Sequence, residues 1–301
     1  EQGGRFLGKR NRNIIVEVDE DIPVYPDYCW MSLGQLLAGL RHDNLINMDS
    51  RTVISCIPYT AHCDTGANPD SLCSSFQEGS YSLHSNEEIL SWFTEMKFAY
   101  ELEVNKIPLC DCRDWEQTDH EIRHRSGEYF SVIACAIEAD SREVSSWTQP
   151  LVKPSQVGLL AFILKKINGV AHFLLQGKVE PGNFDIVEMA PTVQCLTGRY
   201  SGVAKELLPP FVDYVLNAKP GQIIFDTLQS EEGGRFYREA NRNLILLADA
   251  DFPVDVPPNY IWMTARQLKE FIKYNNYVNV QARCLFSALS PFTSLGSEEK
   301  F

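Results

Sequence analysis

The chain has 301 residues, of which 44% are hydrophobic and 22% charged, a composition typical of one large or two smaller globular domains and unlike that of a disordered or fibrous protein. Lys and Arg number 27 against 40 Asp and Glu, so the formal net charge of -13 disfavours nucleic-acid and anionic-membrane partners, and an anionic ligand has to meet a local cluster of cations. Because no apolar run approaches the roughly 20 residues that cross a bilayer, and no signal peptide opens the sequence, we expect a soluble, cytoplasmic protein.

Four helices are predicted where a capping residue precedes a periodic apolar segment. They run from Ser32 to near Asp43, from Ser85 or Asn86 to about Glu101, from Pro209-Pro210 to about Asn217, and from Thr264 to near Asn275. Glu87 and Glu88 in the first turn of the second helix are favourable there, because a helix N-terminus attracts negative charge.

Strands dominate the middle of the chain. Two apolar runs, 158–167 and 170–179, flank Asn168-Gly169, a dipeptide that favours a type I′ turn and so predicts a β-hairpin. Further strands are predicted at 129–139, 184–195, 222–229 and 243–249. Strands interspersed with helices predict an α+β fold, a mixed β-sheet with flanking helices.

An internal repeat divides the chain. Residues 1–24 and 231–254 share Gly-Gly-Arg-Phe, Asn-Arg-Asn, two Asp and Pro-Val at one constant offset, and the match continues from Trp30-Met31 to Trp262-Met263 after a two-residue insertion. Repeats at a fixed period indicate repeated structural units. We therefore expect residues 1–59 to be the C-terminal part of a first repeat, 60–86 a linker, 87–290 a complete second repeat and 291–301 a tail, in an N-terminally truncated piece of a tandem-repeat protein.

The nine cysteines form no C-x-x-C pair and no regular framework, which favours a reducing compartment. Cys63 and Cys73 lie in a polar stretch with His62 and His84. A local disulfide or a metal site is conceivable there, but nothing in the stretch fixes a ligand geometry.

The string His120-Glu121-Ile122-Arg123-His124 formally matches the zinc-protease motif. We interpret it instead as a short solvated helix with Ile122 facing inward, because Ser126-Gly127 ends the segment at once and no third ligand is evident. The glycine-rich dinucleotide fingerprint, the P-loop and the G-x-S-x-G motif are all missing from the sequence.

Two neighbouring predicted strands carry candidate ligand contacts. Gln176, Lys178 and Glu180 alternate along one strand face, which could present an amide, a cation and a carboxylate to a ligand or could simply face solvent. The next strand ends in a polar tip that could contact phosphate through its arginine. The candidates at this tip are Gln194, Cys195, Thr197, Arg199 and Tyr200.

The segment Glu231-Glu232-Gly233-Gly234-Arg235 follows a predicted strand. Paired glycines let a backbone approach a ligand closely and an arginine can bind phosphate through two donors, although a hairpin turn with a charged rim has the same sequence. Trp115 lies in an irregular segment and is a candidate for stacking on a base. The periodic context of the other tryptophans predicts core positions for Trp30, Trp92, Trp147 and Trp262.

Taken together, seven strings resemble the NDP-hexose 2,3-dehydratases of bacterial deoxysugar biosynthesis. They are WTQP (147–150), HFLLQGKVEPG (172–182), PTVQ (191–194), SEEGGRF (230–236), NRN (241–243), WM (262–263) and NVQAR (279–283). The resemblance implies a Nudix-like fold in tandem repeats and a homodimer acting in antibiotic biosynthesis. The glutamate-rich Nudix box is absent from this sequence, which argues against pyrophosphate hydrolysis.

The resemblance also implies a reaction. A dTDP-4-keto-6-deoxyhexose loses the C3 proton and then the C2 hydroxyl as water, which needs a base, a donor at the C4 oxyanion and an acid, but no cofactor or metal. On this basis the catalytic candidates are Lys178, Glu232, Tyr200, His172 and Glu180. The substrate-binding candidates are Trp115, Gln176, Gln194, Cys195, Thr197, Arg199, Glu231, Gly233, Gly234 and Arg235, and residues 1–5 are expected to be half of a second, incomplete site.

Two rival functions remain open at this stage. A binding module of the same fold would hold the dTDP-sugar without turning it over. A nucleotide-sugar pyrophosphatase would need a divalent metal held by clustered carboxylates and would release dTMP.

Overall fold

A computed structural model describes residues 2–58, 71–196 and 208–295. The α-helices are α1 (Leu33–Gly39), α2 (Met48–Ser55), α3 (Cys73–Phe76), α4 (Asn86–Ala99), α5 (Val212–Leu216), α6 (Ala265–Ile272) and α7 (Val280–Phe286). The strands are β1 (Trp115–Gln117), β2 (Glu121–His124), β3 (Ser131–Glu138), β4 (Ser146–Lys153), β5 (Gly158–Ile167), β6 (Val170–Val179), β7 (Val187–Pro191), β8 (Val193–Leu196), β9 (Ile223–Ser230), β10 (Ala240–Leu247) and β11 (Tyr260–Thr264). Among these helices, none is long and apolar enough to cross a bilayer.

The β5–β6 hairpin is the centre of the larger sheet, as the sequence predicts. Asn168 and Gly169 have φ angles of 49° and 79°, and positive φ at both central residues is the requirement of a type I′ turn. The sheet order is β11-β6-β5-β10-β9, in which β10 runs parallel to β5 and the other pairs are antiparallel. The predicted α+β class and mixed sheet are therefore confirmed.

The two strands of this hairpin separate at their open ends. Beyond the pair Ile163 and Leu174, β5 takes β8 as its neighbour and β6 takes β7. Thr192, which joins β7 to β8, lies at this branch point: its hydroxyl accepts from the Ile163 N–H at 2.9 Å and donates to the Leu174 carbonyl. One buried side chain thus satisfies a backbone N–H and a backbone carbonyl at the point where the strands separate.

Apolar cores cover both faces of the larger sheet. One core packs α3, α4, α6 and α7 against β5, β6 and β7, and the other contains α5, Phe252 and Trp262. A strand buried on both faces loses the alternation of polar and apolar residues, which explains the nearly continuous apolar runs in β5 and β6.

The predicted helix around His120 to His124 is wrong. Residues 121–124 form β2, which pairs with β1 and β3 in a four-stranded antiparallel sheet that ends with β4. Pairing on both sides supplies the backbone hydrogen bonds that a five-residue helix would supply poorly. Of this sheet, the sequence predicted only β3.

Equivalent positions of the two sequence copies have the same local structure. Ser32 and Thr264 both form capping boxes at the starts of α1 and α6. Asn47 and Asn279 cap α2 and α7 in the same way. The predicted helix starts at Ser32, Ser85 and Thr264 are therefore confirmed, whereas α5 starts at Val212, just beyond the two prolines.

The first copy departs from the second between residues 9 and 31. This segment contains no helix or strand, and Trp30 is 69% exposed, whereas its counterpart Trp262 is fully buried in β11 beside β6. The predicted core position of Trp30 is wrong because, within the described part of the chain, no strand pairs with its segment. Trp92 does pack against the core, and Trp147 is half-buried in β4.

The end of the predicted linker is also structured. Leu72 and Phe76, at either end of the α3 region, are buried in the core, and Ser75 donates to the Ala171 carbonyl at 2.6 Å. Cys63 lies outside the described residues, so its relation to Cys73 stays a prediction.

Thr192→Val should destabilise the fold by about 2 kcal/mol or more, because valine keeps the shape of threonine but leaves a buried N–H and a buried carbonyl without their partner. Urea denaturation measures the change. Thr148→Val, at an exposed strand position, is the matched control and should change stability by less than about 0.5 kcal/mol. Equal effects of both variants would contradict this account of the branch point.

Candidate active site

A cavity of about 400 Å³ lies where β5 and β6 separate. Three groups of residues line it. The strands and the turn after β6 contribute Gly158, Leu160, Lys178, Glu180, Pro181, Gln194, Cys195 and Leu196; the first copy contributes Gln2, Gly4 and Arg5; and the rest of the chain contributes Tyr129, Phe130, Glu231, Glu239, Asn241 and Gln281. The branch in the sheet therefore makes the space, and other segments close it.

Five predicted site residues come together in this cavity: Lys178, Glu180, Gln194, Cys195 and Glu231. Of the predicted face Gln176, Lys178 and Glu180, the last two line the cavity and Gln176 does not. Three other candidates, Thr197, Arg199 and Tyr200, lie outside the described residues.

The structure does not bring His172 to the cavity. Its side chain is fully buried, its Nε2 accepts from the Leu83 N–H at 3.1 Å, and its Nδ1 is 2.8 Å from the Val170 carbonyl and donates to it. Burial lowers the pKa of this imidazole. With both ring nitrogens occupied, His172 connects β6 to the segment before α4.

The Gly-Gly-Arg turn of the second copy does not line the cavity. Glu232 forms an ion pair with Lys9 at 2.5 Å and lies 3.4 Å from the Arg235 Nε. The Arg235 side chain is 52% exposed. Neither Gly233 nor Gly234 has an atom within 4 Å of a β-carbon built on it, so close packing does not require glycine there.

Two further candidates, Trp115 and Gln176, do not line the cavity but contact other residues of the fold. Trp115 packs against Phe130 with ring centroids 4.9 Å apart, and Phe130 itself faces the cavity. Gln176 donates to the Pro191 carbonyl at 2.9 Å, which holds β6 to β7.

Lys178, near the end of β6, and Glu180, just after it, place a cation and a carboxyl group in the same cavity. Gln194 Nε2 donates to Glu180 at 3.0 Å. Burial raises the pKa of Glu180, while Lys178, Arg5 and the Gly4 N–H act in the opposite direction. Burial is the largest of these effects, so the pKa of Glu180 stays above its ordinary value, and the nearby charges of Lys178 and Arg5 favour its ionised form.

Glu231 occupies a different environment in the same cavity. Its carboxyl group is buried and accepts from the side-chain amides of Gln2 and Asn241. Burial, followed by repulsion from Glu239, raises its pKa to about 7, and Arg51 and Arg5 only partly oppose this. A carboxyl that still holds its proton near neutral pH can act as an acid.

Sequence reasoning missed several lining residues. The expectation that residues 1–5 belong to a separate incomplete site is wrong, because Gln2, Gly4 and Arg5 face the cavity formed by the second copy. Asn241 could have been found, since Asn-Arg-Asn occurs in both copies. In the described ranges, no cluster of three or more His, Cys, Asp or Glu is arranged to hold a metal ion.

The elevated pKa of Glu231 predicts a pH-dependent stability. Because the folded state holds this proton up to about pH 7 and the unfolded chain releases it near 4.5, stability should fall as pH rises between these values, by at most about 3 kcal/mol from this group. Glu231→Gln, which stays neutral, should reduce the difference in melting temperature between pH 5 and pH 8. The exposed control Glu78→Gln should leave the difference unchanged, and an unchanged difference in Glu231→Gln would refute the assignment.

Comparison with known proteins gives the family. The family model described as NDP-hexose 2,3-dehydratase matches residues 1–57 and 86–289. Three relatives are each named dTDP-4-dehydro-6-deoxy-alpha-D-glucopyranose 2,3-dehydratase. They come from Saccharopolyspora spinosa (43% identical, 98% of this chain, 62% of the relative), Streptomyces violaceoruber (44%, 99%, 65%) and Amycolatopsis orientalis (42%, 96%, 58%). This chain thus spans about three-fifths of their length, and it belongs to the NDP-hexose 2,3-dehydratase family.

Proposed function

We propose that the protein containing this chain removes water across C2 and C3 of a dTDP-4-keto-6-deoxyhexose, the reaction named for its relatives. The observation that carries the proposal is one cavity that holds a cation, Lys178, beside two carboxyl groups in contrasting environments, Glu180 and Glu231. Loss of a proton α to a ketone, followed by loss of the hydroxyl on the next carbon, needs a base, an acid and a cation at the ketone oxygen.

Lys178 is proposed to act at the C4 oxygen. When the C3 proton leaves, its electron pair becomes an enolate whose negative charge lies largely on that oxygen. A cation fixed at the end of a strand stabilises this charge without reorganising. The enolate then expels the C2 hydroxyl, and the resulting enol tautomerises to a 3,4-diketo-2,6-dideoxy sugar.

Glu180 and Glu231 are proposed as base and acid. Glu180, whose pKa burial raises while Lys178 and Arg5 act in the opposite direction, takes the C3 proton. Glu231, whose pKa is raised to about 7, gives its proton to the departing C2 hydroxyl so that water leaves. Of the catalytic candidates from sequence, Tyr200 stays a candidate, while His172 and Glu232 have partners elsewhere.

The finer architecture is also part of the proposal. We infer a Nudix-like tandem repeat, with the C-terminal part of a first repeat at 1–59, a linker at 60–86, a complete second repeat at 87–290 and a tail at 291–301. The matching capping boxes of α1 and α6 support it. We also infer a cytoplasmic homodimer in antibiotic biosynthesis. The dimer is supported by the exposed apolar side chains between residues 14 and 31, which a partner subunit could cover.

Incubation of the full-length protein with dTDP-4-keto-6-deoxyglucose in D₂O, followed by NMR, tests the reaction. Exchange of the C3 proton and loss of the C2 hydroxyl are expected. Lys178→Ala should lower the rate by at least about 100-fold, the scale of losing one oxyanion donor, and the exposed control Lys153→Ala should not change it. Bound substrate with neither exchange nor loss would favour a binding module, and release of dTMP with Mg²⁺ would favour a pyrophosphatase.

A further inference from the structure

We propose that Arg5, in the Gly-Gly-Arg turn of the first copy, binds the diphosphate of the nucleotide sugar in the cavity formed by the second copy. The inference deepens the proposed function and rests on it for the identity of the ligand. It assigns to Arg5 the role that sequence reasoning gave to its counterpart Arg235.

The donors of Arg5 are largely unused. Its Nε is buried and has no hydrogen-bond partner, and its Nη1 donates only to the neighbouring Gly4 carbonyl at 3.2 Å. The guanidinium carbon lies 4.6 Å from the centroid of the Phe130 ring. A buried N–H without a partner is costly, and a phosphate oxygen in the cavity supplies an acceptor of the right charge.

Of the two cations that line the described cavity, Arg5 is the one left for a phosphate, because Lys178 is assigned to the C4 oxygen. The charge of Arg5 lowers the pKa of Glu180, Glu231 and Glu239, although burial still raises all three above their ordinary values. Glu231, whose pKa is raised to about 7, repels a diphosphate less when it holds its proton than a carboxylate would, so Arg5 can attract the ligand.

Contacts between the two copies hold Arg5 in this position. Gly182 donates its N–H to the Gly3 carbonyl at 2.8 Å, and the Gly8 N–H donates to the Gly182 carbonyl at 2.8 Å. A β-carbon on Gly182 would overlap the Phe6 carbonyl oxygen. The turn is therefore fixed against the end of β6, next to Lys178 and Glu180.

Arg235 lacks both features of Arg5, the unpartnered buried Nε and the position at the cavity. It contacts Glu232 and is about half exposed, and it does not line the cavity. The two equivalent arginines therefore face different surroundings, and the pair offers an internal comparison.

Calorimetric titration with dTDP tests the assignment in the full-length protein. Arg5→Gln should raise the Kd for dTDP by about 10- to 100-fold, the value of a charge-assisted hydrogen-bonded contact. Binding of thymidine, which has no phosphate, should change by less than about 2-fold. Arg242→Gln is the control, because Arg242 pairs with Asp226 on an exposed part of β10.

An unchanged Kd for dTDP in Arg5→Gln overturns the proposal, as does a loss seen only in Arg235→Gln. If Arg5→Gln unfolds, Arg5→Lys is the deciding variant, because lysine keeps the positive charge but loses the paired guanidinium donors. Weaker dTDP binding with unchanged thymidine binding then supports the proposal. Equal dTDP binding overturns it. A wild-type protein that binds dTDP through Arg5 but does not turn over the sugar overturns only the proposed reaction.

Discussion

The hydroxyl group of Thr192 is the interaction on which the rest of the site depends. A hairpin as long as β5–β6 would ordinarily stay paired to its ends, and no side chain could enter between its strands. Here the strands separate, and one buried hydroxyl bonds to both where they do. The new neighbour β8 then supplies Gln194 and Cys195 next to Lys178 of β6, so strands form one side of the cavity and the segments around them close it.

Burial governs the chemistry within this space. Three carboxyl groups and two cations line one cavity, and burial raises the pKa of each acid. Their neighbours then separate them in character: Lys178 and the Gly4 N–H act on Glu180, whereas Glu239 acts against ionisation of Glu231. Contrasting environments allow identical side chains to serve as base and acid at one pH.

Local signals predicted much of the fold from sequence. The Asn168-Gly169 turn and the capping residues Ser32, Ser85 and Thr264 act within a few residues, and all four determine the structure where they occur. The strand β2 escaped prediction because its conformation depends on pairing with β1 and β3 and not on its own sequence. Trp30 was misplaced because burial requires a partner sheet that periodicity cannot supply.

The candidate site was predictable to the extent that it follows strand alternation. Lys178 and Glu180 could be found in this way, since side chains two residues apart share a face. Gln2 and Arg5 could not, because the repeat suggests that each copy uses its own Gly-Gly-Arg turn. Only the packing of the first copy against the turn at Gly182 reveals that the arginine of the first copy lies at the cavity formed by the second.

The hydrogen bond from Gln2 to Glu231 has an evolutionary consequence. Residues far apart in a sequence usually diverge independently. Here an amide near the start of the described chain holds a carboxyl group 229 residues further along, so a substitution at either position is felt at the same atoms. Selection on one residue therefore constrains the other.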